Sequence, residues 1–499
     1  MNQRIGFRIA QASAFIFIAL LMYFAGTQIV IQGQVSAQGS SVKPHISHLR
    51  GSDRPLRDKC TSIIVPKDLT ADGSEILAHN EDLYNYCAHH YFDTHHATHH
   101  AGEIVTTFYG AKVPQVTETY AYTGTTIFDI SYSPGAITSG INEHQVAVVN
   151  NMSYRRDPED VSQAGRIIWT EFTKFALERA KTASEAVEVI GGLASKYKLG
   201  ADTGGIFGVV DKNEGWWVEV TQEGQWAAEK VTSGTVGSRA NIFRIGDIDF
   251  GSPNFKYSDD LVSYAVSKGW YDSKDTFNFT KTYADPEKVG NTYNTRRTER
   301  IEEMLKDSIV AGNIDPKLII SVWRDHYEGT EYDLTFGHMQ GSPHNTDERT
   351  LCRLDTEVSV VMQARDWLPD EIGAISWRAM ATPCMSFYVP WYLAQQQIPD
   401  EYKTGGSQFT KKSAYWVARN LSRVADMHYN KTVFGKVGYA QADFEGKEFA
   451  EQSYVEKKAL SLYNRNPMGA RAYLTKYTSD LARKASAKLD GLAKIVGEK

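Results

Sequence analysis

Apolar positions in this chain follow two rhythms. From position 60 they form β-branched runs: Thr61-Ser-Ile-Ile-Val65 has the residue types of a buried strand. The turn-forming Thr70-Ala-Asp-Gly-Ser74 separates it from Glu75-Ile-Leu-Ala-His-Asn80, so the pattern predicts a β-hairpin. Further strands are predicted at 145–150, 205–211 and 215–221, the last two joined by Lys212-Asn213-Glu214. The helical rhythm appears at 163–179 and 183–194, and at 296–306, where Ile301, Met304 and Leu305 share a face. It returns at 413–427, and the Ala-, Lys-, Leu- and Glu-rich stretch 446–496 predicts two or three more helices. Strands in the middle with helices on either side predict an α+β layered domain rather than alternating βαβ units. No internal repeat of about 20–50 residues is visible, and no linker marks a boundary within 60–499.

Ahead of the first strand the pattern changes. Arg4 and Arg8 precede a mostly apolar run over 14–31, interrupted by Gly26, Thr27 and Gln28. Gln34-Val-Ser-Ala37 follows, with small residues spaced as at a signal-peptidase site. Residues 1–37 are therefore expected to be a signal peptide or N-terminal anchor, and the protein to be exported, periplasmic or secreted. Residues 38–59 are polar and aperiodic, which suits a propeptide or spacer that no core needs. No second apolar stretch of about 18 residues occurs.

Composition narrows the chemistry. A chain of 499 residues, 42% hydrophobic and 23% charged, can bury a sizeable core. Its net charge of −6 argues against nucleic acid or an anionic membrane as a partner. The four cysteines, Cys60, Cys87, Cys352 and Cys384, form no CxxC pair, so neither a structural zinc site nor a dense disulfide framework is expected. Cys352 and Cys384 either bridge in an oxidising compartment or serve as small buried hydrophobes. Phosphate-cradling glycine motifs are absent, as is a G-x-S-x-G elbow.

Cys60 stands out by position, because it leads the first strand directly behind a disposable spacer. Cutting between Lys59 and Cys60 puts a thiol and a free α-amino group on one residue. Such an amine titrates at about 7.7–8.0, close to the pH at which a base must take up a proton. It can therefore activate the thiol without a separate histidine.

Cys60-Thr-Ser-Ile-Ile-Val65, Thr70-Ala-Asp-Gly-Ser74 and Asn80-Glu-Asp82 resemble the opening signature of the dipeptidase A family. These are cysteine-type N-terminal-nucleophile (Ntn) hydrolases, related to bile salt hydrolases and penicillin V acylases. Ordered blocks continue the resemblance: Gly140-Ile-Asn-Glu-His144, Gly215-Trp-Trp-Val-Glu219 and Ser238-Arg-Ala-Asn-Ile-Phe243. Cys352-Arg353, Ser359-Val-Val-Met-Gln363, Leu368-Pro-Asp-Glu-Ile-Gly373 and Phe387-Tyr-Val-Pro390 extend it. The resemblance implies a four-layer αββα sandwich with additional C-terminal helices, a mature chain over 60–499, and cleavage before Cys60 by the chain itself or by another protease. It also implies a dipeptide or small amide substrate, no cofactor and possible assembly into a homo-oligomer; cutting before Cys60 is expected to leave the mature form without a membrane attachment.

The same resemblance suggests site roles. Cys60 matches the nucleophile, Asp82 the acid near its amine and thiol, and Asn241 the side-chain donor of the oxyanion hole. Arg297 matches the arginine opening a later helix, with Arg296 as the alternative, and Asn150 or Asn151 matches a further polar position. His79 stands where the family has arginine, so the thiolate is expected to be less stabilised and activity to fall in mildly acidic solution. Three functional readings follow: a dipeptidase, an amide acylase of the bile-salt or penicillin type, and a catalytically silent binding protein. His89, His90, His95, His96, His99 and His100 either gather a metal or line a solvated loop. Trp216 and Trp217 read as packing residues rather than as a ligand platform.

Overall fold

The structure, a computed structural model, describes residues 60–82, 88–93, 95–128, 137–156, 162–334, 342–344, 348–427, 429 and 431–497. The expected leader and spacer, and Cys87, lie outside the described residues. Along the chain come β1 (Thr61–Val65), β2 (Glu75–Asp82), β3 (Ala88–Asp93), β4 (Tyr122–Phe128) and β5 (Ile137–Asn142). Next are β6 (Ala147–Ser153), β7 (Gly204–Val210), β8 (Gly215–Val220), β9 (Trp226–Lys230), β10 (Gly237–Arg239) and β11 (Phe255–Tyr257). The last are β12 (Thr356–Ala364), β13 (Ile375–Met380) and β14 (Val389–Tyr392). They form a six-stranded sheet, β10-β1-β2-β12-β13-β14, and an eight-stranded sheet, β11-β9-β8-β7-β6-β5-β4-β3, both antiparallel.

Alternation of side chains decides what each layer holds. Ile64, Leu77, Val360 and Met362 of the first sheet meet Ile141, Val149, Ile206, Val210 and Trp217 of the second in one buried cluster. Each such side chain contributes about 1.5–3 kcal/mol by leaving water. The sheets approach closely at two glycines: a Cβ on Gly208 would lie 2.9 Å from Leu77 Cδ1, and one on Gly215 would lie 2.7 Å from Ile64 Cγ2.

Both outer faces carry helices. The helices α1 (Trp169–Arg179) and α2 (Ala183–Tyr197) cover the second sheet, packing Phe172, Phe175 and Ile190 on Phe207, Val209 and Trp216. On the first sheet, α3 (Thr292–Ala311) and α4 (Pro316–Trp323) bring Ile301, Leu305, Ile319 and Trp323 against Ile63, Ile76 and Trp377. The α5 (Ala414–Met427), α6 (Lys431–Tyr463) and α7 (Pro467–Gly497) helices extend that layer. The architecture is thus αββα with a helical C-terminal part. The long α6 starts well before the expected 446, since Gly435 and Gly438 weaken the helical pattern there without breaking it. Trp216 and Trp217 are core residues on opposite faces of β8. Among the described residues, no helix is long and apolar enough to cross a membrane.

Candidate active site

Cys60 precedes β1, and strand register sets its neighbours. Thr61 pairs with Asn80, so one step outward Cys60 stands across from Glu81. Ser62 pairs with Arg239 on the other side, so the same continuation brings Asn241 beside Cys60. Alternation then places Ser62, His79 and Glu81 on the inter-sheet face, at the polar end of the layer that Ile64 and Leu77 continue as apolar core.

These side chains form a buried relay. The Cys60 thiol donates to Glu81 Oε1 at 3.3 Å, and Glu81 Oε2 lies 3.1 Å from His79 Nε2. His79 Nδ1 is 2.8 Å from Ser62 Oγ, which donates to Asn151 Oδ1 at 2.7 Å. Burial pushes the Cys60 thiol well above its usual value, helped by the negative charges of Glu81 and Asp82 and opposed by the Asp82 backbone N–H. In this state the sulfur keeps its proton.

Arg297, from the first turns of α3, ties the remaining pieces together. Its Nη1 donates to the Cys60 carbonyl at 2.7 Å and to Thr61 Oγ1 at 2.8 Å, and its Nη2 to Asn241 Oδ1 at 3.0 Å and Asn294 Oδ1 at 2.8 Å. The Asn241 side chain is thereby oriented, with Nδ2 donating to Met152 O at 3.0 Å. Arg296 points elsewhere, pairing with Glu348 and stacking over Tyr332. Of the two asparagines on β6, Asn151 reaches the relay, whereas Asn150 faces α1 and bonds Thr173.

Asp82 is placed differently from its neighbour. It lies on the opposite face of β2, where its carboxylate accepts from Thr356 Oγ1 at 2.6 Å. Burial raises its pKa, with Asp355 adding and Arg353 and Arg349 opposing. The nearby Arg349 guanidinium is held down at about 9 by burial and by Arg353 and Arg297. Cys60, Asn241 and Arg297 are thus brought together directly, while Asp82 reaches the sulfur through its backbone. Glu81 and Ser62 went unremarked in the sequence reading, although counting two-residue steps across the predicted hairpin picks out both.

The structure also bears on the other titratable clusters. His96 is clasped between Glu143 (2.8 Å) and Glu118 (2.7 Å), and His99 lies 3.2 Å from Glu103, so these rings engage separate acids at the surface. Two groups of described residues have the atoms and spacing to hold a cation: Cys60 with His79 and Glu81, and His326 with His344, Cys352 and Cys384. The second was not anticipated, because its members are scattered over 59 positions without a motif. Cys352 and Cys384 are both free thiols rather than a bridge.

Residues 59–441 match peptidase family C69. The chain belongs to that family. This C69 peptidase is therefore a cysteine-type hydrolase, and Cys60 is the cysteine that stands almost at the start of the matched region. It is 25% identical over 468 residues to the "Probable dipeptidase" of Latilactobacillus sakei, covering 90% of this chain and 97% of that protein. A "Probable dipeptidase" of Salmonella dublin is 26% identical over 402 residues, with 74% and 90% covered. Among solved structures, a mutant of conjugated bile acid hydrolase from Clostridium perfringens matches at 13% identity and a TM-score of 0.28, over 64% of the C69 peptidase and 89% of that chain. Penicillin V acylase from Agrobacterium tumefaciens matches at 11% and 0.29, over 66% and 85%. These superpositions are too loose to add weight to the layered architecture already described.

Proposed function

We propose that the protein is an exported dipeptidase whose mature chain begins at Cys60, the residue serving as both nucleophile and base. The observation that carries this reading is the state of Cys60: a buried thiol at a strand end, its carbonyl gripped by Arg297, its proton held by Glu81. Two further facts support it. Cys60 has a φ of 72°, a left-handed conformation that costs a residue with a side chain about 1–3 kcal/mol. Opening the Lys59–Cys60 bond removes the preceding carbonyl and with it that strain. The curated relatives named above also carry dipeptidase names.

In the proposed reaction the new α-amino group takes the thiol proton, and the thiolate attacks the amide carbonyl of a dipeptide. The second hydrogen on Asn241 Nδ2, together with a backbone N–H, holds the developing oxyanion, where one donor is worth roughly 3–4 kcal/mol. The α-ammonium protonates the leaving amine, and water then releases the acyl group from the thioester. Maturation could use the same thiol against the Lys59 carbonyl, and trypsin-like cleavage after Lys59 would yield the same N-terminus.

Intact mass and N-terminal sequencing of the active protein test this directly. The expected chain starts at Cys60 and hydrolyses dipeptides, and Cys60→Ala abolishes turnover. Active enzyme with a peptide bond still intact on the amino side of Cys60 would overturn the reading. Faster cleavage of N-acyl amides than of any dipeptide would move it to the acylases.

A further inference from the structure

Away from the candidate active site, four side chains from four separate segments converge. His326 lies just beyond α4, His344 in the following loop, Cys352 ahead of β12, and Cys384 in the turn between β13 and β14. His326, Cys352 and Cys384 are 1%, 0% and 3% exposed, and the His344 ring is equally buried. Their donor atoms all lie within 4.8 Å of one another.

The separations are those of a coordination shell. Zn–N near 2.05 Å and Zn–S near 2.3 Å at tetrahedral angles require about 3.3 Å between nitrogens and about 3.6 Å between nitrogen and sulfur. Here His326 Nε2 and His344 Nε2 are 3.1 Å apart, while His344 Nε2 lies 3.4 Å from Cys384 Sγ and 3.8 Å from Cys352 Sγ.

The outer contacts are equally specific. His326 Nδ1 meets Glu328 Oε1 at 2.9 Å, and His344 Nδ1 meets Asp426 Oδ1 at 2.9 Å. Ser342 donates in turn to Asp426. A carboxylate on the far nitrogen is the arrangement that fixes a metal-binding histidine in its Nδ1–H form. Both rings then direct an Nε2 lone pair at the same point, where two sulfurs also converge. Facing lone pairs of this kind, 3.1 Å apart, are held by a shared proton or by a bound cation, and the two nearby sulfurs suit the cation.

We propose that His326, His344, Cys352 and Cys384 form a structural zinc site. The S₂N₂ set suits a borderline-soft tetrahedral ion, and four protein ligands leave no position open for substrate. On binding, the two thiols release two protons to solvent, and the resulting thiolates neutralise the dication. The site would pin the β13–β14 turn, the approach to β12 and the end of α5 to one point. It also lies one residue from Leu351, whose carbonyl accepts from Asn80 Nδ2 at 2.9 Å.

Metal analysis of the purified full chain, with cobalt(II) substitution, tests the site. About one zinc per chain is expected, with cobalt giving intense tetrahedral visible bands and a thiolate charge-transfer band. Cys352→Ser and Cys384→Ser should each lose most of the metal and the charge-transfer band, and Cys60→Ala should keep both. Wild-type protein without zinc and without cobalt–thiolate absorption would overturn the proposal, whether or not the variants fold. Recovery of Cys352 and Cys384 as a disulfide would do the same, as would zinc lost only in Cys60→Ala.

Discussion

Cys60 is flanked by Glu81 on one neighbouring strand and by Asn241 beyond the end of the other, and its chemistry follows from that placement. Glu81 is the larger of two charges that, after burial itself, hold the thiol up, and Asp82 is the smaller. Removing a negative neighbour favours the thiolate. Glu81→Gln should therefore shift the pH profile of Cys60 alkylation downward and raise modification at pH 8, while Asp82→Asn shifts it less. Iodoacetamide labelling followed on the Cys60 peptide measures both, and an upward or absent shift in Glu81→Gln would contradict the relay. Cys60 itself was legible in the sequence because it leads a β-branched run behind an aperiodic spacer. Its partners were legible only through the family resemblance: Arg297 reaches the Cys60 carbonyl from 237 positions away, and Asn151 joins through Ser62 from 89 positions away, separations that strand register and helix placement bridge. The four-residue cluster at His326 was invisible for the same reason, as no spacing among its members repeats a known motif.

Elements transmit this geometry through the layer between the sheets. Gly208 on β7 has no room for a side chain, with Leu77 Cδ1 and Trp217 Cζ3 each 2.9 Å from where a Cβ would stand and Val149 Cγ2 at 3.1 Å. Gly208→Val should force the sheets apart, costing about 1–3 kcal/mol in urea unfolding and lowering kcat, because Leu77 shares β2 with His79 and Glu81. An unchanged unfolding midpoint would mean that the layer yields more readily than its packing suggests. Strands bearing clear β-branched runs, β1, β2 and β6 to β8, were readable from the sequence. By contrast, β12 is buried on both faces and shows no alternation, so it appeared only as a matching block of residues. Strands β3 to β5 lie in a stretch dense in Thr, Tyr and His, where the two-residue rhythm is blurred.

At the scale of the whole molecule, the Glu75 carboxylate gives a readable dependence on pH. Burial lifts the Glu75 carboxyl from 4.5 to about 7, with Asp211 and Asp68 adding and Lys67 opposing, and its Oε2 has no hydrogen-bond partner among the described residues. Between those values the folded chain holds a proton that the unfolded chain has released, so this group's contribution to stability falls as pH rises through the window and levels off above 7. The difference amounts to about 3 kcal/mol. Glu75→Gln should therefore be more stable than the parent at pH 8 and no more stable at pH 5, as read from urea midpoints at the two pH values. A parent that gains stability relative to the variant on going from pH 5 to pH 8 would reverse the sign.

The high proton affinity of the Cys60 sulfur has one more consequence. Under the proposed function, a thiol capped in this way would leave the newly made chain dormant toward amides in its surroundings, with no need of a separate inhibitor. A single cut before Cys60 would then act as a safety catch, since the same event that exposes the amine supplies the base the sulfur had lacked.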